Sequence, residues 1–246
     1  MRAGWPRVID AVILLTGPVE QNALAAVLRR HNPHVTICPA ASLDELQAID
    51  AALLWRARLI GFTTPVVVPP RILKALGFGA YNFHPGPPHY PGWAPAQFAI
   101  YDKAETFGAT VHRMVEKVDA GPIVAVELFA IPPGIGVRHL QELAFLQAAR
   151  LFWRLAPALA MRREPLAELP VQWSGTKSTS RMHKTMCEID LNISREELDR
   201  RIGAFGAGDF GVDPTVTLHG HKFRYVAPSA ESQAVPATPA PAALVA

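Results

Sequence analysis

Cysteine is nearly absent. Cys38 and Cys187 are the only two in 246 residues, far apart and without metal-ligand spacing. That excludes a disulfide framework and a cysteine-based zinc site, and it points to a reducing compartment. Each is expected to act as a small, partly buried hydrophobe. Long apolar runs are missing as well. The run over residues 8–15 carries Asp10 and falls well short of the roughly 20 residues of a membrane helix. It has no small-residue cleavage site, so neither a membrane span nor a signal peptide is expected, and the cytoplasm is the expected location. Charge of one sign is scarce: the formal net charge is +3 and no dense Lys/Arg stripe occurs. This argues against a nucleic-acid partner and leaves room for an anionic substrate. Lys177, Arg181 and Lys184 form a local basic cluster of the kind that is usually a solvated face. A glycine-rich phosphate loop is also lacking. Thr16-Gly17-Pro18-Val19-Glu20-Gln21 has one glycine, a proline without an N–H and a carboxylate near the helix start, which describes an ordinary tight turn.

What remains is a globular chain, 50% hydrophobic and 18% charged, long enough for one sizeable core plus a smaller region. Residues 8–15 read as a buried strand ending at Thr16-Gly17-Pro18. Residues 20–31 place Ala23, Leu24, Val27 and Leu28 on one helical face. Strands are expected over 34–38, 58–62 and 80–83. Between them lie a helix capped by Ser42 with Glu45 three residues on, and a helix from Pro70 closing at Gly77. Strands alternating with helices imply right-handed crossovers and a mostly parallel sheet, with ligands at the C-terminal ends of the strands. Further on, a short helix over 94–101 is expected to turn Phe98, Ile100 and Tyr101 inward. Strands follow over 110–115 and 123–129, then a long helix over 137–163 that Pro157 kinks or divides. The expected organisation is a catalytic domain over 1–165 and a small C-terminal subdomain over 166–226. That subdomain has a Ser194-capped helix and a hairpin at His219-Gly220. A disordered Ala/Pro-rich tail over 227–246 completes it.

The chemistry concentrates in Asn82-Phe83-His84-Pro85-Gly86-Pro87-Pro88, continuing through Tyr90-Pro91-Gly92. An amide and an imidazole at i and i+2 of an extended chain share a face. The prolines behind them stiffen the loop, and a rigidly held donor beside a titratable ring suits an oxyanion. Downstream, Glu116-Lys117-Val118-Asp119-Ala120-Gly121-Pro122 puts a carboxylate on a turn between two strands.

Asn82-x-His84, Tyr90-Pro91-Gly92, Gly108-Ala109-Thr110-Val111-His112 and Asp119-Ala120-Gly121-Pro122-Ile123 together resemble the formyltransferases that use 10-formyltetrahydrofolate. The likeness is strongest from Ile60 to Pro133 and fainter from Trp173 to Tyr225. The resemblance implies an α/β, Rossmann-like formyltransferase fold with a mostly parallel sheet, plus a small C-terminal helix-and-hairpin region. It implies formyl transfer from 10-formyltetrahydrofolate, as co-substrate, to a primary amine. Asn82 and His84 would hold the tetrahedral oxyanion and Asp119 would assist proton removal, with no metal required. Asp119 would also favour the charged form of His84. The folate would lie against Val66, Val67 and Val68, with Val115 and Val118 on the opposite wall, although valines also simply fill cores. The acceptor implied is a small-molecule amine, an amino-sugar with or without a linked nucleotide. This follows because the phosphate loop of the glycinamide ribonucleotide enzymes and the larger basic domain of the tRNA enzymes have no counterpart in these residues. A methionyl-tRNA acceptor and simple hydrolysis of the folate are the alternatives, and a homodimer is an allowed assembly.

Blander readings stand beside these. Asp119 alone could merely open a turn; His89 reads as a loop residue at the pocket mouth. His112 divides evenly between structural support and ligand contact, and Trp93 reads as an aromatic packed under the loop. Two rival classes are a metal-dependent hydrolase built from His84, His89, His112 and Asp119, and a non-catalytic binding module.

Overall fold

In the computed structural model, which describes residues 9–226, strands β1 (Ala11–Leu15), β2 (Thr36–Ala40), β3 (Ala57–Phe62), β4 (Ala80–His84), β5 (Thr106–Arg113) and β6 (Ile123–Ala130) form one sheet ordered β2-β1-β3-β4-β5-β6. The β2-β1, β1-β3 and β3-β4 pairs are parallel. β5 runs against both β4 and β6, so it alone opposes the common direction. The mostly parallel, Rossmann-like α/β sheet expected from the sequence is therefore present. The tail expected over 227–246 lies outside the described residues.

β1, with sequence AVILL, is buried at every position. Val12 and Leu14 join one core cluster and Ala11, Ile13 and Leu15 a second, as period-two side chains on a sheet covered on both faces must. The first cluster lies beneath helix α1 (Pro18–His31), through Leu24 and Leu28, and helix α6 (Val137–Met161), through Leu151 and Phe152. The second is covered by α2 (Leu43–Gln47), α3 (Ala51–Leu54) and α4 (Pro70–Ala75). Ser42 caps α2 by accepting from the Glu45 N–H, while the Glu45 carboxylate accepts from Ala41 N at 2.7 Å.

α5 (Pro95–Tyr101) buries Ala96, Gln97 and Ala99 most deeply; Phe98, Ile100 and Tyr101, expected to face inward, are half-buried, with Ile100 packed against a core cluster that includes Ala96 and Ala99. α6 runs unbroken past Pro157 instead of dividing there. Pro157 lies within its last two turns, and the N–H it lacks is the one that would reach the carbonyl of Trp153, an exposed residue; the helix's terminal carbonyls find a donor elsewhere. The buried Arg58 guanidinium donates to Ala158 O at 3.2 Å and Leu159 O at 2.9 Å.

The chain separates into two compact units at 183/184, well past the boundary expected at residue 165. Residues 166–183 stay with the first unit because they hydrogen-bond back onto it, as in Leu169 N–H to Ile123 O and Ser174 N–H to Pro88 O. Helix α7 (Ser180–Cys187) runs across that boundary, and the second unit holds β7 (Glu188–Ile189), α8 (Arg195–Phe205), β8 (Thr215–Leu218) and β9 (His221–Arg224). Ser194 caps α8 through Glu197 N–H, and β8 and β9 pair antiparallel across His219-Gly220, both with positive φ.

Candidate active site

The site begins with alternation along β4. Tyr81 and Phe83 point into the core beneath α6, which leaves Asn82 and His84 on the opposite face at the strand's C-terminal end. Because β5 is antiparallel to β4, Asn82 stands directly opposite His112. A register shift between Val111 and His112, where β5 pairs with β6, accompanies this point, the kind of irregularity that re-aims a side chain. The Asn82 amide Nδ2 lies 3.2 Å from His112 Nε2.

The loop from β5 to β6 then returns Asp119 to the same place. Asp119 adopts a left-handed φ of 44°, a conformation that Asp tolerates better than most residues. Its carboxylate turns inward. Oδ1 lies 3.1 Å from His112 Nε2, and Oδ2 lies 3.5 Å from His84 Nδ1 and accepts from Gly92 N–H at 2.8 Å. The side chains of both histidines and of Asp119 are each at most 5% exposed. Gly92 could carry no side chain, since a Cβ would sit 2.1 Å from Ser178 O and φ is +96°.

Backbone carbonyls assign part of the proton inventory. His84 Nε2 lies 2.9 Å from Tyr90 O and His112 Nδ1 lies 3.1 Å from Arg113 O, so both of those nitrogens carry hydrogen and donate. The remaining nitrogens face Asp119. His112 Nε2 can serve only one neighbour at a time. Protonated, it donates to Asp119; bare, it accepts from the Asn82 amide. In either case the Asn82 amide carries a second N–H, and Asn82 lines the cleft.

Burial is the largest influence on His84 and pushes its pKa down, outweighing the nearby Asp119 carboxylate, which acts in the other direction with the Tyr90 carbonyl. His84 is therefore neutral at rest. Asp119 does favour the charged form, as expected, but burial outweighs it because the ring is almost wholly out of water. Burial alone would raise Asp119. The charge of His84 when protonated, the hydrogen bond and charge of His112, and the Gly92 N–H together outweigh burial and hold Asp119 well below the usual carboxylate range. The Gly92 and His112 contacts do not need a protonated His84, so Asp119 stays ionised beside a neutral imidazole.

One cleft of about 170 Å³ opens onto these groups. It is lined by Asn82, His84 and Asp119, by Val66, Val67 and Val68 on one wall, and by Val115 and Val118 on the other. The eight residues singled out from the sequence thus meet at one place. The valines differ in exposure: Val67 is 59% exposed at the mouth, whereas Val68 belongs to the second core cluster. Residues 64–69 form neither helix nor strand, so their amides and carbonyls are not committed to a ladder. Trp93 and His112 line the same cleft. His89 does not join the cluster; it is exposed, with Nδ1 3.3 Å from Ser174 Oγ. Among the described residues no group of three or more His, Cys, Asp or Glu is arranged to hold a metal ion.

Sequence reading missed three contributors. The Gly92 N–H and the Tyr90 carbonyl lie inside the Tyr90-Pro91-Gly92 block, which signalled a rigid loop without naming its partner. The third is Trp173, whose ring centroid lies 5.0 Å from that of His112 and 5.8 Å from that of His84, and whose N–H donates to Gly121 O at 2.8 Å. No local pattern marks it.

The Formyl transferase family model matches residues 59–145, the segment that carries Asn82, His84, His112 and Asp119. A methionyl-tRNA formyltransferase of Pediococcus pentosaceus is 26% identical over 192 residues, 77% of this chain and 57% of that protein. The chain spans about half the length of the curated relatives it matches. Among solved structures, a sugar N-formyltransferase from a Shewanella species superposes with a TM-score of 0.69 at 20% identity, covering 87% of this chain and 95% of that one. An N-formyltransferase from Helicobacter canadensis, in complex with folinic acid and dTDP-3-aminofucose, gives a TM-score of 0.61 at 15% identity, covering 86% and 85%. The segment similar to the Formyl transferase family is thus the one that builds the cleft, and the fold is shared with these solved formyltransferases.

Proposed function

We propose that this protein transfers a formyl group from 10-formyltetrahydrofolate to a primary amine of a small molecule, an amino-sugar. The observation that carries this reading is the buried cluster of Asn82, His84, His112 and Asp119 at the floor of a cleft walled by valines. The apolar walls and the backbone of residues 64–69, which lies outside any strand ladder, suit a flat heterocycle whose edge needs donors and acceptors. The folate bound to the Helicobacter canadensis enzyme supports that choice of donor.

In this mechanism the acceptor nitrogen attacks the formyl carbon, forming the new C–N bond and moving the carbonyl electrons onto oxygen. The Asn82 side-chain amide has two N–H groups, and the one not facing His112 stabilises that oxygen. The ammonium proton of the acceptor passes to the bare His84 Nδ1, where the ionised Asp119 stabilises the imidazolium. Collapse of the intermediate breaks the bond to the folate nitrogen, which takes the proton back from His84. A buried, neutral imidazole facing a carboxylate is suited to accept and return one proton.

The amino-sugar acceptor is supported by the extent of the likeness to sugar N-formyltransferases, which runs far beyond the segment matched by the family model. A methionyl-tRNA acceptor is the second reading, favoured by the relatives found at sequence level. An amine screen with 10-formyltetrahydrofolate decides between them. It should cover dTDP-linked amino-sugars, initiator methionyl-tRNA, glycinamide ribonucleotide and a no-amine control. Formylation of an amino-sugar is expected. Turnover with tRNA alone would establish the second reading, tetrahydrofolate release without amine would mark a hydrolase, and no turnover would leave a binding module.

A further inference from the structure

Residues 173–178 cross back over the first unit and tie together the two loops that carry the site. On the loop after β4, Ser174 N–H donates to Pro88 O at 3.0 Å, Ser178 N–H donates to Pro91 O at 3.0 Å, and Ser178 O accepts from Trp93 N–H at 3.1 Å. The Ser178 hydroxyl adds bonds to Pro91 O and Trp93 O. On the loop before β6, Trp173 Nε1–H donates to Gly121 O at 2.8 Å, and Lys177 Nζ donates to Val118 O at 2.6 Å. Between these anchors the indole packs edge-on to both imidazoles, at 84° to His112 and 74° to His84. Trp173 is not part of the cleft lining described above.

We propose that Trp173 is a positioning residue for the histidine–aspartate cluster: anchored on Gly121, its indole sets the ring planes of His84 and His112 and keeps water from their far side. The inference rests on the reading of His84 and Asp119 as the proton-handling pair. His84 Nδ1 meets Asp119 only if the imidazole plane is held, since its other nitrogen is fixed on Tyr90 O and the ring could otherwise swing about that bond. His112 is held in the same way by Arg113 O. A ring edge against both imidazoles removes the remaining freedom. The titratable groups facing His84 are Asp119 and His112, and burial, to which the indole contributes, is the largest influence on it.

The test is imidazole titration by NMR in the full chain, with His84→Gln used to assign the signals. In Trp173→Ala, the His84 midpoint should rise by about half a unit or more as water regains the ring. With an active acceptor, kcat should fall at least about tenfold with little change in KM for the folate, the signature of lost positioning. A role confined to stability would lower the melting temperature and leave the titration where it was, and that result overturns the proposal. Trp173→Leu keeps apolar bulk without the ring edge or the N–H, and serves if the alanine variant does not fold. Wild-type titration of His84 in Trp173→Leu would likewise overturn the proposal. Because the titration needs no acceptor, failure of the amine screen and failure of this inference are told apart.

Discussion

Asp119 gathers His84, His112 and the Gly92 N–H around one carboxylate, so single substitutions there act on charge before they act on shape. Asp119→Asn keeps the volume and removes the anion that stabilises a proton on His84. Its kcat should fall by roughly 10²–10⁴, measured as initial rates with the acceptor found in the screen. The pH response follows from the two directions. His84 has its pKa lowered on folding, so the unfolded chain binds its proton first, and stability is lost as pH falls through the ordinary value of 6.5. Asp119 is also lowered, and its contribution is present above 3.8 and lost only as pH falls below that. Melting temperature should therefore decline between about pH 7 and 5 in the wild type, and decline less in His84→Gln. Equal slopes would show that His84 is not held neutral. Gly92→Ala places a Cβ against Ser178 O at a left-handed φ, and chemical denaturation should register a loss of about 2 kcal/mol or more. The residue types at this scale were legible from four short blocks. The protonation of His84 was not, because burial is a property of the fold and reverses what the neighbouring carboxylate alone would do.

Among the elements, α6 shows how a long helix ends over a sheet. Its last carbonyls accept from Arg58, which rises from β3, donates also to Phe78 O at 3.1 Å and stacks over Tyr81. Burial pushes this guanidinium down to about 10, still charged at neutral pH, while Tyr81 and Glu164 act the other way. Arg58→Ala would take the guanidinium donor from Phe78 O and Leu159 O, leave Ala158 O with Arg162 N–H alone, and open a cavity. The expected cost is about 3 kcal/mol or more, read from urea denaturation, without a change in the pH dependence of activity. An unchanged midpoint would mean that solvent takes over those carbonyls. Capped helix starts at Ser42 and Ser194 were readable because a cap is a local contact between residues three apart. The persistence of α6 past Pro157 was not readable, since it rests on packing against the sheet and on an end capped from about a hundred residues away in the chain.

At the scale of the whole molecule, a mildly charged chain with net charge +3 has little long-range field to steer a polyanion. For a small-molecule acceptor, kcat/KM should change by less than about tenfold between roughly 50 and 200 mM salt. A tRNA held by many phosphate contacts would lose about 10³–10⁵ in affinity over the same range. A steep salt dependence would therefore favour the tRNA reading.

The sequence by itself determined the fold class, the cleft's position at the strand ends, and that Asn82, His84 and Asp119 would meet there. Alternating strands and helices, and residue types in fixed order, are local information. Only tertiary structure decided that His112 stands opposite Asn82, that Asp119 is anchored by Gly92, and that Trp173 backs both histidines. Those relations come from the antiparallel turn of β5 and from a segment folding back over the first unit. They depend on contacts between residues far apart in the chain, which no window of neighbouring residues contains.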